Sequence, residues 1–122
     1  MSLSNKIIAA LAACMILTPG IALSASMDEE IDFLLETVGN SDCVFTRNGK
    51  DHDAEDARDH LQMKRKRGAR YFDSSEEYIA NLASESSWSG KPYFIQCGDD
   101  PRVTAKAWFT ALLEQYRKDN PE

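Results

Sequence analysis

An α+β fold is predicted: a small antiparallel sheet, formed by one hairpin and one later strand, covered by about four helices and held by one disulfide. Three observations predict it. Several segments place apolar residues at helical spacing behind a capping residue. One short alternating run rich in β-branched and aromatic residues ends on Asn48-Gly49. Two cysteines, Cys43 and Cys97, remain once the leader is set aside.

The leader comes first. Lys6 gives a positive start, Ile7 to Leu17 is an apolar run, Pro19-Gly20 breaks it, and small residues follow. This pattern is a secretory signal peptide over residues 1–25, with cleavage near 24–26, leaving 26–122 as a single mature domain and predicting a periplasmic address. The run is too short to cross a hydrocarbon core of about 30 Å as a helix, so no transmembrane anchor is expected after cleavage. Leu11-Ala12-Ala13-Cys14 resembles a lipobox, but Met15-Ile16-Leu17 continues the apolar segment where a lipidated cysteine would begin a polar tether. Lipid anchoring at Cys14 is therefore the lesser alternative. In an oxidising compartment Cys43 and Cys97 read as one disulfide. Closing a loop of about fifty residues, it is worth about 4 kcal/mol in the chain-entropy account.

Ser26 to Glu29 fits a capping box, and Ile31, Leu34, Leu35 and Val38 lie on one helical face that stops at Gly39-Asn40, with Phe33 off that face. Cys43 to Arg47 then alternates as a strand, Asn48-Gly49 supplies a tight turn, and Lys50 to His52 is a short polar return arm suited to a sheet edge. Asp53 caps a second helix running to about Arg67, with a thin stripe of Ala54, Ala57, Leu61 and Met63, and Gly68 ends it. Ser74-Ser75-Glu76-Glu77 opens a short third helix that buries Tyr78, Ile79 and Leu82. Pro92 to Cys97 has the pattern of a strand beside the hairpin. Asp100-Pro101 reads as N-cap and first position of a terminal helix with Val103, Ala107, Trp108, Ala111, Leu112 and Gln115 to Tyr116 toward the core. That gives three strands at most.

The order of the short motifs carries a resemblance over the whole mature chain. Cys43-Val44-Phe45-Thr46-Arg47-Asn48-Gly49 is followed by Ala57, His60-Leu61 and Lys64, then by Ser84 to Tyr93, then by Trp108. Together they resemble the YfeK-like family, small exported proteins of Gram-negative bacteria grouped as a domain of unknown function. The resemblance implies a periplasmic location and a single small domain, and brings no functional residues with it.

Function is sought in Ser84-Glu85-Ser86-Ser87-Trp88-Ser89-Gly90-Lys91-Pro92-Tyr93, where hydroxyls, a cation and two aromatics gather between a helix and a strand. Ser86, Ser87, Trp88, Ser89, Lys91 and Tyr93 are the candidate binding residues, since Trp and Tyr are enriched in binding hot spots and serines offer adaptable hydrogen bonds. Against this stands a turn whose hydroxyls satisfy the loop backbone, with Gly90 at positive φ, Tyr93 in the core and Trp88 over a helix end.

A nucleophilic role for Ser86, Ser87 or Ser89 with Lys91 or His60 would make a small hydrolase, but neither a Ser-x-x-Lys nor a Gly-x-Ser-x-Gly pattern is present. Gly90-Lys91 lacks the glycine cradle and following Ser or Thr of a phosphate loop. His52 and His60 with Asp51, Asp53, Asp56 and Asp59 match no zinc spacing, His60 reads as a core-margin residue, and no metal or cofactor is expected.

Ser89 to Tyr93 is similar, with one residue too many, to the Ser-Gly-x-Tyr loop of some periplasmic lysozyme inhibitors, and an acidic domain would be drawn to a basic lysozyme. The net charge of −6, one unit more negative once Lys6 leaves, argues against nucleic acid as a partner. Lys64-Arg65-Lys66-Arg67 with Arg70 reads as a solvated helix end favoured by the helix dipole, with an anionic partner as the alternative. The expectation is thus a binding module of the cell envelope with a protein or other envelope component as partner.

Overall fold

The computed structural model describes residues 25–121; the signal-peptide pattern and Cys14 lie outside the described residues. Helix α1 (Met27–Gly39) opens on the expected capping box, Ser26 accepting from the Glu29 amide while the Glu29 carboxylate reaches back to the Ser26 backbone. Its apolar face, Ile31, Leu34, Leu35 and Val38, is buried, and Phe33 stacks on Tyr116 with ring centroids 4.4 Å apart. Strands β1 (Val44–Arg47) and β2 (Lys50–His52) pair across Asn48 and Gly49, both at positive φ (53° and 76°). The Asp53 carboxylate caps α2 (Ala54–Arg67) by accepting from the Asp56 amide at 2.8 Å. Ser74 caps α3 (Ser75–Tyr78), which widens into a π-helical turn over Ile79–Ala83. Strands β3 (Phe94–Gln96) and β4 (Val103–Thr104) precede α4 (Ala105–Asp119).

The sheet runs β2-β1-β3-β4 with every pair antiparallel. It has four strands rather than three, and the fourth displaces the expected start of the last helix. Ile95 pairs with Val103 and Phe94 with Thr104, and the Ala105 amide donates to the Tyr93 carbonyl at 2.8 Å. These bonds keep the chain extended through Thr104, whose hydroxyl accepts from Ala107 as the actual N-cap. The buried stripe of α4 is therefore Ala105, Phe109 and Leu113, flanked by half-buried Trp108, Leu112 and Tyr116, while Val103, Ala107 and Ala111 are exposed. Asp100-Pro101 sits in the preceding turn, and Pro92 forms only an isolated bridge with Glu85.

Side-chain alternation sends Phe45 and Ile95, which are paired, to the same buried face under the helices. The register that pairs Val44 with Gln96 sets Cys43 against Cys97 at one end, where they form the disulfide. Continued past Thr46 and Phe94, it sets Arg47 opposite Tyr93 at the other end, again on the helix-covered face. One strand pair thus carries the staple at one end and a cation beside a tyrosine at the other.

A second polar cluster ties the helices together. Glu30 on α1, 7% exposed, accepts from Ser75 Oγ (2.8 Å), Arg117 Nε (2.7 Å) and Arg117 Nη2 (3.0 Å). Arg117 also grips Glu76 at 2.8 and 3.0 Å. Hydrogen bonds from Arg117 hold both carboxyls below their ordinary value, for Glu30 against the opposing effect of burial. Carboxyls depressed in this way stabilise the fold above the ordinary carboxylate pKa, and the contribution is lost as pH falls through the folded value. Arg117→Ala leaves a nearly buried carboxylate without its cation and is expected to cost about 2 kcal/mol at pH 7 in urea unfolding, moderated by the partial exposure of Arg117. The gap between wild type and variant should close as pH is lowered below about 4.5.

Candidate functional site

The stretch from Ser84 to Tyr93 folds as a tight turn in which most hydroxyls are committed to backbone. The Tyr93 amide donates to the Ser84 carbonyl, Ser86 N to the Lys91 carbonyl, and Gly90 N to the Ser86 carbonyl, each at 2.9 Å. Ser84 Oγ donates to the Ile79 carbonyl of the π turn. Ser86, 6% exposed, accepts at Oγ from Trp88 N and Ser89 N (3.2 Å each) and from Asn48 Nδ2 (3.3 Å). Ser89 Oγ donates to Asn48 Oδ1 and accepts from Lys91 N. Gly90 stands at φ +74°, a conformation that a side chain would strain. Ser87 and Lys91 are exposed, and among the described residues their side chains make no hydrogen bond. Trp88 is 91% exposed, an unusual cost for so large an apolar surface.

This turn forms one wall of a cleft of about 750 Å³ whose other walls come from α2, the π turn and the far end of β1. Of the candidate residues, Ser86, Ser87, Trp88 and Tyr93 line it, whereas Ser89 and Lys91 do not. Tyr93 is 1% exposed, tilted against Phe45 with centroids 5.2 Å apart, so it belongs to the core with one edge in the cleft. Gly68, at the C-terminus of α2, also lines it; a Cβ there would meet Leu82 and the Lys64 carbonyl at 2.9 Å, so a glycine permits the close approach of α2 and the π turn.

The floor of the cleft is built by residues that the sequence places apart: His60 at the core margin, Lys64 in a basic run expected to be solvated, and Arg47 at the end of a strand. Lys64 is 7% exposed, and its Nζ donates to the Glu85 carbonyl (2.9 Å) and to Tyr93 Oη (3.1 Å). His60 Nε2 lies 3.3 Å from the same hydroxyl. Tyr93 Oη, accepting from Lys64, is left to donate to a neutral His60. Burial, with Arg47, Lys64 and His52 nearby, pushes His60 down to about 4, so it is uncharged at neutral pH. Burial also pushes Lys64 down to about 8, opposed by Glu85 and reinforced by Arg47. Arg47, from the end of β1, lines the cleft, and its Nη1 is buried with no hydrogen-bond partner among the described residues.

The basic run at the end of α2 is accordingly not one solvated patch. Lys64 is buried, Arg65 pairs with Asp28 and Asp32 of α1, Lys66 is exposed, Arg67 lines the cleft, and Arg70 lies over the Tyr71 ring. The reason is helical phase: Lys64 continues Ala54, Ala57 and Leu61 on the buried face, where the expected stripe had Met63. That spacing was the signal that could have found it.

Four α-helices over a four-stranded antiparallel sheet, among the described residues, define a small disulfide-bonded α+β domain with a cationic cleft. The chain belongs to the family of unknown function DUF5329, which matches residues 25–117. It is similar to the uncharacterized protein YfeK of Salmonella typhimurium, 34% identical over 91 residues that cover 73% of this chain and 76% of that protein. No solved structure matches it.

The hydrogen bonds separate the serines. Ser86→Ala removes an acceptor shared by two amides and is expected to lower stability by about 1–3 kcal/mol in urea unfolding, whereas Ser87→Ala should leave it within about 0.5 kcal/mol of wild type.

Proposed function

We propose that this protein acts in the periplasm by binding, without catalysis of its own, and holds a small cell-envelope ligand in the cleft beside Ser84 to Tyr93. The observation that carries the reading is Trp88, 91% exposed at a cleft of about 750 Å³, a volume in the range of small-molecule sites. An indole held out on a turn whose hydroxyls fasten its own backbone supports a role for Trp88 as a binding anchor. The signal-peptide pattern and the Cys43–Cys97 disulfide support export. Among the described residues no helix is long and apolar enough to cross a membrane.

A hydrolase would need a serine hydroxyl in reach of a base. Ser86 Oγ accepts from amides, Ser89 Oγ is joined to Asn48, and the Lys64 amine donates to Glu85 and Tyr93. A lysozyme-inhibitor loop would need Tyr93 outside, and it is core.

Amide shift mapping with soluble envelope saccharides and peptides should show perturbations concentrated on the cleft, the Trp88 indole foremost, and Trp88→Ala should weaken binding by about tenfold or more. Excess protein should leave lysozyme lysis of cell walls unaffected. Turnover of an envelope substrate that disappears on Ser87→Ala with the fold intact would overturn the reading.

A further inference from the structure

The cleft carries charge that the fold leaves unneutralised. Arg47, Lys64 and Arg67 line it, and among the described residues none has a carboxylate oxygen within 4.0 Å. Arg58, Arg65 and Arg117 by contrast all have carboxylate partners. The chain holds 20 acidic against 14 basic residues, so acidic partners are not scarce. The one carboxylate in the lining is Glu85, and it is the Glu85 backbone carbonyl that accepts a hydrogen bond from Lys64. Arg47 Nη1 is buried and, among the described residues, has no hydrogen-bond partner. Buried cations without a counter-charge cost stability, and a ligand that brings the missing charge removes that cost.

The rest of the lining narrows the ligand. Trp88 offers an exposed flat apolar face, and the Ser87 hydroxyl has no partner among the described residues. No residue of the edge strands β2 or β4 lines the cleft, so a peptide could not add there as a strand. A net-acidic chain does not suit nucleic acid. A ring with hydroxyls and one acidic group meets the conditions.

We propose that the cleft binds a small acidic sugar, its carboxylate or phosphate held by Arg47 and Lys64 and its ring packed on Trp88. This rests on the binding reading above and deepens it. The groups facing the Lys64 amine are Arg47 from β1, His60 from α2, Glu85 from the turn and Tyr93 ahead of β3. Lys64, pushed down to about 8, is mostly ammonium at neutral pH, and a bound anion raises it. Affinity should therefore fall as pH rises through about 8.

The test is calorimetric titration of the purified protein with glucuronate, glucose 6-phosphate, glucose and inorganic phosphate. At least one acidic sugar should bind saturably, about tenfold or more tighter than glucose and than phosphate alone, and the stronger of the two identifies the acid group. Arg47→Gln and Lys64→Gln should each weaken it by about tenfold, with cooperative unfolding retained; if Lys64→Gln does not fold, Arg47→Gln decides. Glucose binding as tightly as glucuronate and glucose 6-phosphate would overturn the anion assignment while leaving a binding cleft. Phosphate binding as tightly as both sugars would overturn the sugar. Affinity unchanged in Arg47→Gln would overturn the site, and no binding of any of the four would overturn the proposal.

Discussion

Tyr93 is the residue through which the parts of this structure meet. Its amide closes the turn onto Ser84, its carbonyl accepts from Ala105 and sets the start of α4, and its ring packs on Phe45 of the hairpin. Its hydroxyl accepts a hydrogen bond from Lys64 and meets His60 of α2. Backbone bonds made in two directions and a polar tip at the end of a buried ring let one side chain join sheet, turn and helix, and leave that tip in the cleft. Burial pushes the phenol above its ordinary value, so it stays a neutral hydroxyl able to accept from Lys64 while donating to His60.

Stability and site are drawn from different ends of the same strand pair. At the Cys43–Cys97 end the disulfide closes the loop that contains the whole site, with a separation of 54 residues. At the Arg47 and Tyr93 end the apolar layer gives way to cations. The Glu30–Arg117–Glu76 cluster, where carboxylates and guanidinium neutralise one another, shows what this fold does with charge whose role is cohesion. At the cleft the Lys64 ammonium is instead held by a carbonyl and a phenol, with no carboxylate oxygen within 4.0 Å among the described residues.

Much of the fold could be read from the residues because local rules agreed with tertiary packing. The capping box at Ser26, the face of Ile31, Leu34, Leu35 and Val38, the Asn48-Gly49 turn and the cysteine pair all act over a few residues or through a covalent bond. The α4 start was misplaced because a two-residue strand is too short to show alternation and is held by partners far along the chain, Phe94 and Ile95. In the site, the Ser84 to Tyr93 stretch was visible as composition, but the hydroxyls of Ser84, Ser86 and Ser89 bond to backbone groups. Lys64 and His60 on α2 and Arg47 on β1 were each visible in the sequence, but only the fold brings them together at Tyr93, although the stripe through Leu61 and alternation from Phe45 point at Lys64 and Arg47.

The proposed acidic-sugar site rests on Lys64 as a buried ammonium at the cleft. The most direct measurement is the pH titration of the assigned Lys64 side-chain resonance by NMR, in the free protein and with glucuronate or glucose 6-phosphate added. The account predicts a midpoint near about 8 in the free protein and a rise when the acidic sugar is present. A midpoint at the ordinary lysine value of about 10.4, unmoved by either sugar, would contradict it.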